Sequence, residues 1–191
     1  MQKDTYNKLL YPLQDKVLAI IAELDVDFYL TGGTALSRGY FNHRYSDDLD
    51  FFVNQSPHFF KQFEKIVAAL KSFEIQVGTQ SESFARCFVT KDAVSLKLDF
   101  VNDVAFRRDK PVNTLLFSRT DTVLNILSNK ISALSRNEPK DIADILEIAK
   151  TTNFNWISII SDAKEKDLSV DELDTARFIS EFDVERLSSV L

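Results

Sequence analysis

Cysteine is nearly missing from this chain: Cys87 stands alone among 191 residues. A lone thiol excludes an internal disulfide, and with it a disulfide-built secreted scaffold. No stretch of about 18 uninterrupted apolar residues occurs, so no membrane span is expected. An apolar leader followed by a cleavage site is not seen either. A reducing, cytoplasmic setting without a membrane partner is the resulting expectation. Positive charge is also short, with 23 Lys and Arg against 29 Asp and Glu and a net charge of −6. That balance argues against a broad nucleic-acid-coating surface and leaves room for a local basic patch at a site. His43 and His58, the two histidines, lack partners at ligand spacing, so a zinc site is not expected.

What is present is enough for a real core, with 45% hydrophobic residues. The length suits one domain, or a core domain with a helical appendage. Leu9, Leu10, Leu13, Val17, Ile20, Ile21 and Leu24 recur at helical spacing, and Pro12 inside that pattern predicts a main helix beginning there. Phe28-Tyr29-Leu30 reads as a short buried strand and Leu49 to Val53 as a second one. Between them, Thr34 to Gly39 suits one or two helical turns and Asn42 to Ser46 a loop. Phe59, Phe60, Phe63, Ile66, Val67 and Leu70 mark an amphipathic helix.

Strands follow around Glu74 to Thr79 and Phe84 to Thr90, with a hairpin turn at Thr90 to Ala93. Val94 to Phe100 alternates strictly, so Ser95, Lys97 and Asp99 share the face opposite Val94, Leu96, Leu98 and Phe100. Cys87 alternates with Ala85 and Val89, which marks an inert core thiol. After about Thr120 the pattern is helical. Asp121 is placed as an N-cap ahead of the stripe Leu124, Leu127, Ile131 and Leu134. Pro139 opens a helix expected to turn Ile142, Ile145, Leu146 and Ala149 inward. Two or three short polar helices follow from Trp156. The fold class expected is α/β (α+β): a mixed β-sheet flanked by helices over residues 1–118, then a C-terminal helical subdomain over 119–191.

Glycine placement raises the functional question. Of only four glycines, Gly32, Gly33 and Gly39 fall within eight residues of one another. Asp47, Asp48 and Asp50 then crowd the start of the second strand. Asp48 and Asp50, two apart, share one face. Neighbouring carboxylates repel unless protonated or bridged by a cation, and a hard divalent ion such as Mg²⁺ is the economical remedy. Asp99 completes a triad if its strand lies alongside, and carboxylates on adjacent strands suit two-metal phosphoryl transfer. A strand, the Gly32-Gly33 pair and a helix start present backbone N–H groups to a phosphate, with the Thr34 hydroxyl as a further donor.

The combination Gly32-Gly33-Thr34-Ala35-Leu36, Arg44-Tyr45-Ser46-Asp47-Asp48-Leu49-Asp50-Phe51, Lys97-Leu98-Asp99, Lys130 and Lys140-Asp141-Ile142-Ala143-Asp144 resembles a known family. It is that of the AbiEii/AbiGii-type toxin nucleotidyltransferases, within the DNA polymerase β-like superfamily. The resemblance spans roughly residues 28–148. It implies transfer of a nucleoside monophosphate from an NTP to an acceptor hydroxyl, in RNA such as tRNA, and a cognate antitoxin as partner. It also implies two Mg²⁺ ions bound by Asp48, Asp50 and Asp99, with Asp99 helping to activate the acceptor. Lys130 would hold triphosphate oxygens, and Lys140, Asp141 and Asp144 would complete the helical side.

Plainer roles exist for each residue. Asp48 and Asp50 fit a solvated turn, Gly32-Gly33 a tight strand–helix turn, and Asp99 an exposed polar face. Lys97 suits a salt bridge to the carboxylates as well as substrate contact. Arg38 and Arg44 suit phosphate binding or surface charge. Lys130 suits the outer face of a helix, and Lys140 with Asp144 an i, i+4 pair. Arg107-Arg108-Asp109-Lys110 is a small basic loop that could touch RNA backbone. Two rival functions stand beside the transferase acting on RNA: a nucleotide-binding regulatory module without catalysis, and an enzyme that transfers the nucleotide to a protein hydroxyl.

Overall fold

A computed structural model describes residues 3–190. At its centre is a five-stranded mixed sheet in the order β1-β2-β5-β4-β3: β1 Tyr29–Thr31, β2 Leu49–Asn54, β3 Glu74–Ser81, β4 Phe84–Lys91 and β5 Val94–Asp103. Only β2 and β5 run parallel; the other pairs are antiparallel. The tight β4–β5 turn places Asp92 and Ala93 at φ 51 and 63, the left-handed conformation of a two-residue hairpin.

Strand alternation separates two chemistries. Leu49, Phe51 and Val53 of β2, Ala85, Cys87 and Val89 of β4, and Leu96, Leu98 and Phe100 of β5 are all buried. Phe100 anchors this face, stacked on Phe51 at 5.3 Å and met edge-on by Phe28 and Phe63 at 5.1 Å each. Truncating such a ring costs about 3–5 kcal/mol, so Phe100→Ala would remove much of a domain's margin. Over this face lie α2 (Tyr11–Ala22), through Val17 and Ile21, and α4 (Phe59–Ala69), through Phe63 and Ile66. The opposite face carries Asp50, Arg86, Lys97 and Asp99, with α5 (Val123–Ser132) and α6 (Pro139–Thr151) beside it. α7 (Trp156–Lys166) packs on α5, and α8 (Glu172–Ser180) and a 3₁₀ segment at Val184–Ser189 follow.

Three expectations are corrected. The first helix begins well before Pro12, as α1 (Lys3–Thr5) and a π segment (Tyr6–Leu10) that runs into α2. The π turn bonds the Tyr11 N–H to the Tyr6 carbonyl, and this wider register admits a proline that an α-helix interior would reject. At α5 the N-cap is Thr122, whose hydroxyl accepts from the Asn125 N–H, not Asp121. Asp121 is instead fully buried, accepting from Thr31, Asn125 and the Thr122 N–H. In α6 the inward residues are Ile142, Ala143, Ile145 and Ile148, while Ala149 is exposed and Leu146 half-buried. The inward face starts nearer the helix N-terminus because Asp141 and Asp144 are themselves turned in.

Candidate active site

β2 and β5 run side by side in a register that pairs Asp50 with Asp99. Asp48 sits one residue ahead of β2, two before Asp50 and on its side of the strand. Three carboxylates therefore meet at one end of the polar sheet face. Their charges are only partly met. Lys97 reaches Asp48 at 2.7 Å and Asp99 at 3.6 Å. Arg86 grips Asp99 with two hydrogen bonds of 2.6 and 2.7 Å. Asp50 has no salt-bridge partner among the described residues. Burial, then repulsion from Asp48 and Asp99, pushes its carboxyl up to about 7. Asp48 moves the other way, since the Lys97 ammonium outweighs the upward pull of burial.

Gly32 closes this end at φ +69, and a Cβ there would stand 2.3 Å from the Asp50 Oδ2. A Cβ on Gly33 would meet the Arg44 guanidinium at 2.4 Å. The left-handed φ at Gly32 favours glycine, and a Cβ at either position would require the facing side chain to shift. The helical turn they open, α3 (Gly32–Thr34) with a π segment through Phe41, has no side-chain cap, which leaves its first N–H groups free. Thr34 does not join them: it is buried and gives its hydroxyl to the Asp48 carbonyl, pinning the start of β2.

Across the cleft, α5 and α6 bring a second carboxylate pair that is thoroughly neutralised. Lys130 is buried, not on an outer helix face, and contacts Asp141 at 2.6 Å and Asp144 at 2.9 Å. Arg44 holds Asp144 through two bonds of 2.7 and 2.8 Å, and the His43 Nε2 lies 2.8 Å from the same carboxylate. Burial would raise the Asp144 carboxyl, but Lys130, His43 and Arg44 take it far below the usual range. Lys140 is exposed on the cleft wall and makes no i, i+4 bridge to Asp144. Arg38 lies elsewhere, bound to Gln14 and Asp15. Arg107 lies over the Tyr29 ring and Arg108 is tied to Ser158 and Asp162.

Two cavities of about 350 and 500 Å³ share Asp50, Arg86, Asp99, Lys130 and Arg136, and so form one cleft. The smaller runs past Gly33, Arg44, Asp48 and Lys140; the larger runs along the sheet past Phe52 and Val101 to Asp103, under Ile126 and Asn129 of α5. Of the residues singled out from sequence, Gly32, Gly33, Arg44, Asp48, Asp50, Asp99, Lys130, Lys140 and Asp141 line the cleft. Thr34 and Asp144 stand behind it. Arg86 was missed, although alternation with Ala85 and Cys87 already put it on the face of Lys97 and Asp99. Arg136, Asn129 and Asp103 carried no such signal.

Comparison with known proteins gives the family and the fold. The family model of the nucleotidyl transferase AbiEii toxins of type IV toxin–antitoxin systems matches residues 16–185. The chain belongs to this family. It is accordingly a nucleotidyltransferase. No curated protein matches it. Among solved structures, JHP933 from Helicobacter pylori is similar with a TM-score of 0.65 at 20% identity, over 99% of this chain and 95% of that one. A candidate nucleotidyltransferase from H. pylori is similar with a TM-score of 0.61 at 20% identity, over 99% and 98% of the two chains. At that identity the two structures bear on the fold, and they agree with the mixed sheet flanked by helices. No helix among the described residues is long and apolar enough to cross a membrane.

Proposed function

We propose that this nucleotidyltransferase moves a nucleoside monophosphate from an NTP to an acceptor hydroxyl in RNA, with Asp48, Asp50 and Asp99 holding Mg²⁺. The observation that carries this reading is Asp50: a carboxylate without a cation, between two others, against the one backbone turn built of Gly32 and Gly33. Among the described residues no three or more His, Cys, Asp or Glu side chains are already set as a metal cage. The donor set nevertheless suits a hard cation, because Lys97 now stands as one between Asp48 and Asp99. Lys97 and Arg86 are each about one-third exposed, 33% and 34%, so both can swing aside. When bound, two such ions would neutralise charge developing on the transferred phosphate and on the attacking oxygen.

The chain's own groups do the positioning. Gly32 and Gly33 offer N–H groups to phosphate oxygens, and Arg44, held by Asp144, presents fixed positive charge beside Gly33. Lys140, on the cleft wall, is free to meet the outer phosphates. Lys130 acts through its field and through Asp141, which it holds at the cleft edge. Asp99 is placed to take the proton of the acceptor hydroxyl once Arg86 moves off it. Residues 1–118 supply the sheet side as catalytic core, and the helical subdomain 119–191 supplies the facing wall. Membership of the toxin family supports a cognate antitoxin as partner and an NTP as substrate.

The test incubates each α-³²P-labelled NTP with Mg²⁺ and total cellular RNA, comparing wild type with Asp48→Asn. Label in one RNA size class, lost in the variant, is expected. Label on protein instead of RNA would move the acceptor to a protein hydroxyl. Full activity in Asp48→Asn would sink the assignment of the carboxylates.

A further inference from the structure

Beyond the cleft, the polar face of the sheet continues into a groove of about 900 Å³. Side chains on one face of a strand recur every second residue. The larger arm of the cleft rests on Thr31 of β1, Phe52 of β2 and Asp103 of β5; the groove takes over at Tyr29, Asn54 and Ala105, the next positions on that face. Asn54 lies about 13 Å along β2 from Asp50, so the groove begins within one strand's length of the carboxylates. Its charged lining is Arg107, Arg108, Lys110 and Arg119 against Asp27 and Asp109, a positive balance on a chain of net charge −6. Arg108 is spent on Asp162, while Asp27 accepts from Gln62 and Asp109 from Thr122. Arg38, Arg44, Arg86, Arg136 and Arg177 also meet carboxylates. Among the described residues Arg107, Arg119 and Arg186 do not, and the first two of these line the groove. Both are nevertheless held in place. Arg119 gives its Nε to the Phe28 carbonyl at 3.0 Å and its Nη2 to the Ile21 carbonyl at 3.1 Å. Arg107 gives its Nε to the Asp109 carbonyl at 2.6 Å and lies 4.6 Å over the Tyr29 ring. Neutral carbonyls and a ring thus fix two guanidinium groups and leave their charge unanswered.

Resting on the reading of RNA as acceptor, we propose that this groove holds the acceptor's phosphodiester backbone a few nucleotides behind the reacting hydroxyl, with Arg107, Lys110 and Arg119 on its phosphates. The hydroxyl has to reach Asp99, and the chain behind it has to leave along the cleft. On the polar sheet face the lining changes from carboxylates to cations where the cleft gives way to the groove. Guanidinium groups fixed in advance match phosphate oxygens and lose little freedom on binding. Phosphate contacts set register and carry no base code, so the groove grips RNA of any sequence. Negative charge over the rest of the chain repels nucleic acid and confines it to this track. An acidic protein partner needs no continuity with the carboxylates; a substrate chain does.

Fluorescence anisotropy of a short labelled single-stranded RNA of mixed sequence on the full chain, over a series of salt concentrations, tests this without knowledge of the natural acceptor. Arg107→Gln combined with Lys110→Gln, in a loop that is half-buried to exposed, should weaken binding roughly tenfold near 0.1 M salt. The slope of log affinity against log salt should fall by about 1.4, two lost contacts at about 0.7 each. Arg177→Gln combined with Arg186→Gln removes the same charge outside the groove and should leave affinity within about twofold. Calorimetric binding of Mg²⁺–NTP should be unchanged in the groove variant, since neither side chain lines the cleft. A wild-type affinity and salt slope in the groove variant, or an equal loss in the control pair, overturns the proposal; RNA labelled in the transfer assay then leaves the transferase reading intact. No binding of the RNA by wild type also overturns it, and label on protein in that assay overturns the RNA acceptor as well.

Discussion

Two carboxylate groups border the same cleft and stand in opposite electrostatic condition. On the sheet, Asp48, Asp50 and Asp99 share Lys97 and Arg86, and Asp50 is left with no cation of its own. On α6, Asp141 and Asp144 are met by Lys130, Arg44, Arg136 and His43. The first group is costly until something positive arrives from outside; the second is complete. Counting acidic residues cannot tell these apart, since both motifs present aspartates at short spacing. What separates them is whether a cation from a distant part of the chain reaches the carboxylate. The proposed metal site is the group that folding leaves unbalanced, and the group on α6 is one that folding balances.

The sharpest way to break this contrast is a pair of matched substitutions. Asp50→Asn should cut nucleotidyl transfer by roughly a thousandfold or more, yet leave the metal-free protein as stable as wild type or more so. Asp144→Asn should destabilise by about 3–5 kcal/mol, because Arg44 and Lys130 would lose a partner inside the protein. Transfer assays and thermal melts on both variants decide the matter. An Asp50→Asn protein melting several degrees below wild type would reverse the comparison.

The two groups should also respond to pH with opposite sign. Asp50 has its carboxyl raised from 3.8 to about 7 in the folded state, so the folded state holds the extra proton between those values. Its contribution to stability therefore falls as pH rises through that window. Asp144 is depressed below 3.8, so its contribution is present above that value and is lost as pH falls beneath it. Without metal, melting temperature should decline from about pH 5 to pH 7.5, and adding Mg²⁺ should recover most of the loss at the upper end. Asp50→Asn should flatten the decline. A metal-free profile that rises steadily over this range would contradict the charge state assigned to Asp50.

A smaller effect is expected at Lys97, which is one-third exposed and so weakly coupled. Lys97→Gln removes the internal cation that competes for Asp48 and Asp99, and should tighten Mg²⁺ binding a few-fold in calorimetry. Weaker Mg²⁺ binding would mean that Lys97 assists the ion instead of standing in for it.

Much of this was readable along the chain, and the reasons are local. The alternation in Val94 to Phe100 told which face of β5 carries Asp99, because neighbouring strand residues must point oppositely. Gly32-Gly33 ahead of an Asp-x-Asp strand start announced a close backbone approach, now seen as the clearance between Gly32 and Asp50. The same alternation held Arg86 in plain view, between the inward Ala85 and Cys87. Pro12 misled because a proline near a helix start and one lodged behind a π turn look identical in sequence. Asp121 misled because an N-cap and a buried acceptor one residue earlier share the same local composition.

By itself, then, the sequence determined the sheet-and-helix order, the inward faces of the strands and the aspartates that meet at the cleft, since periodicity and residue type act over a few neighbours. Only the tertiary structure decided which aspartates stay unbalanced. Arg44 reaches Asp144 across 100 positions, and Lys166 reaches Asn129 across 37. Pairings at that separation are set by how helices dock on the sheet, and charge balance in the cleft follows from the docking.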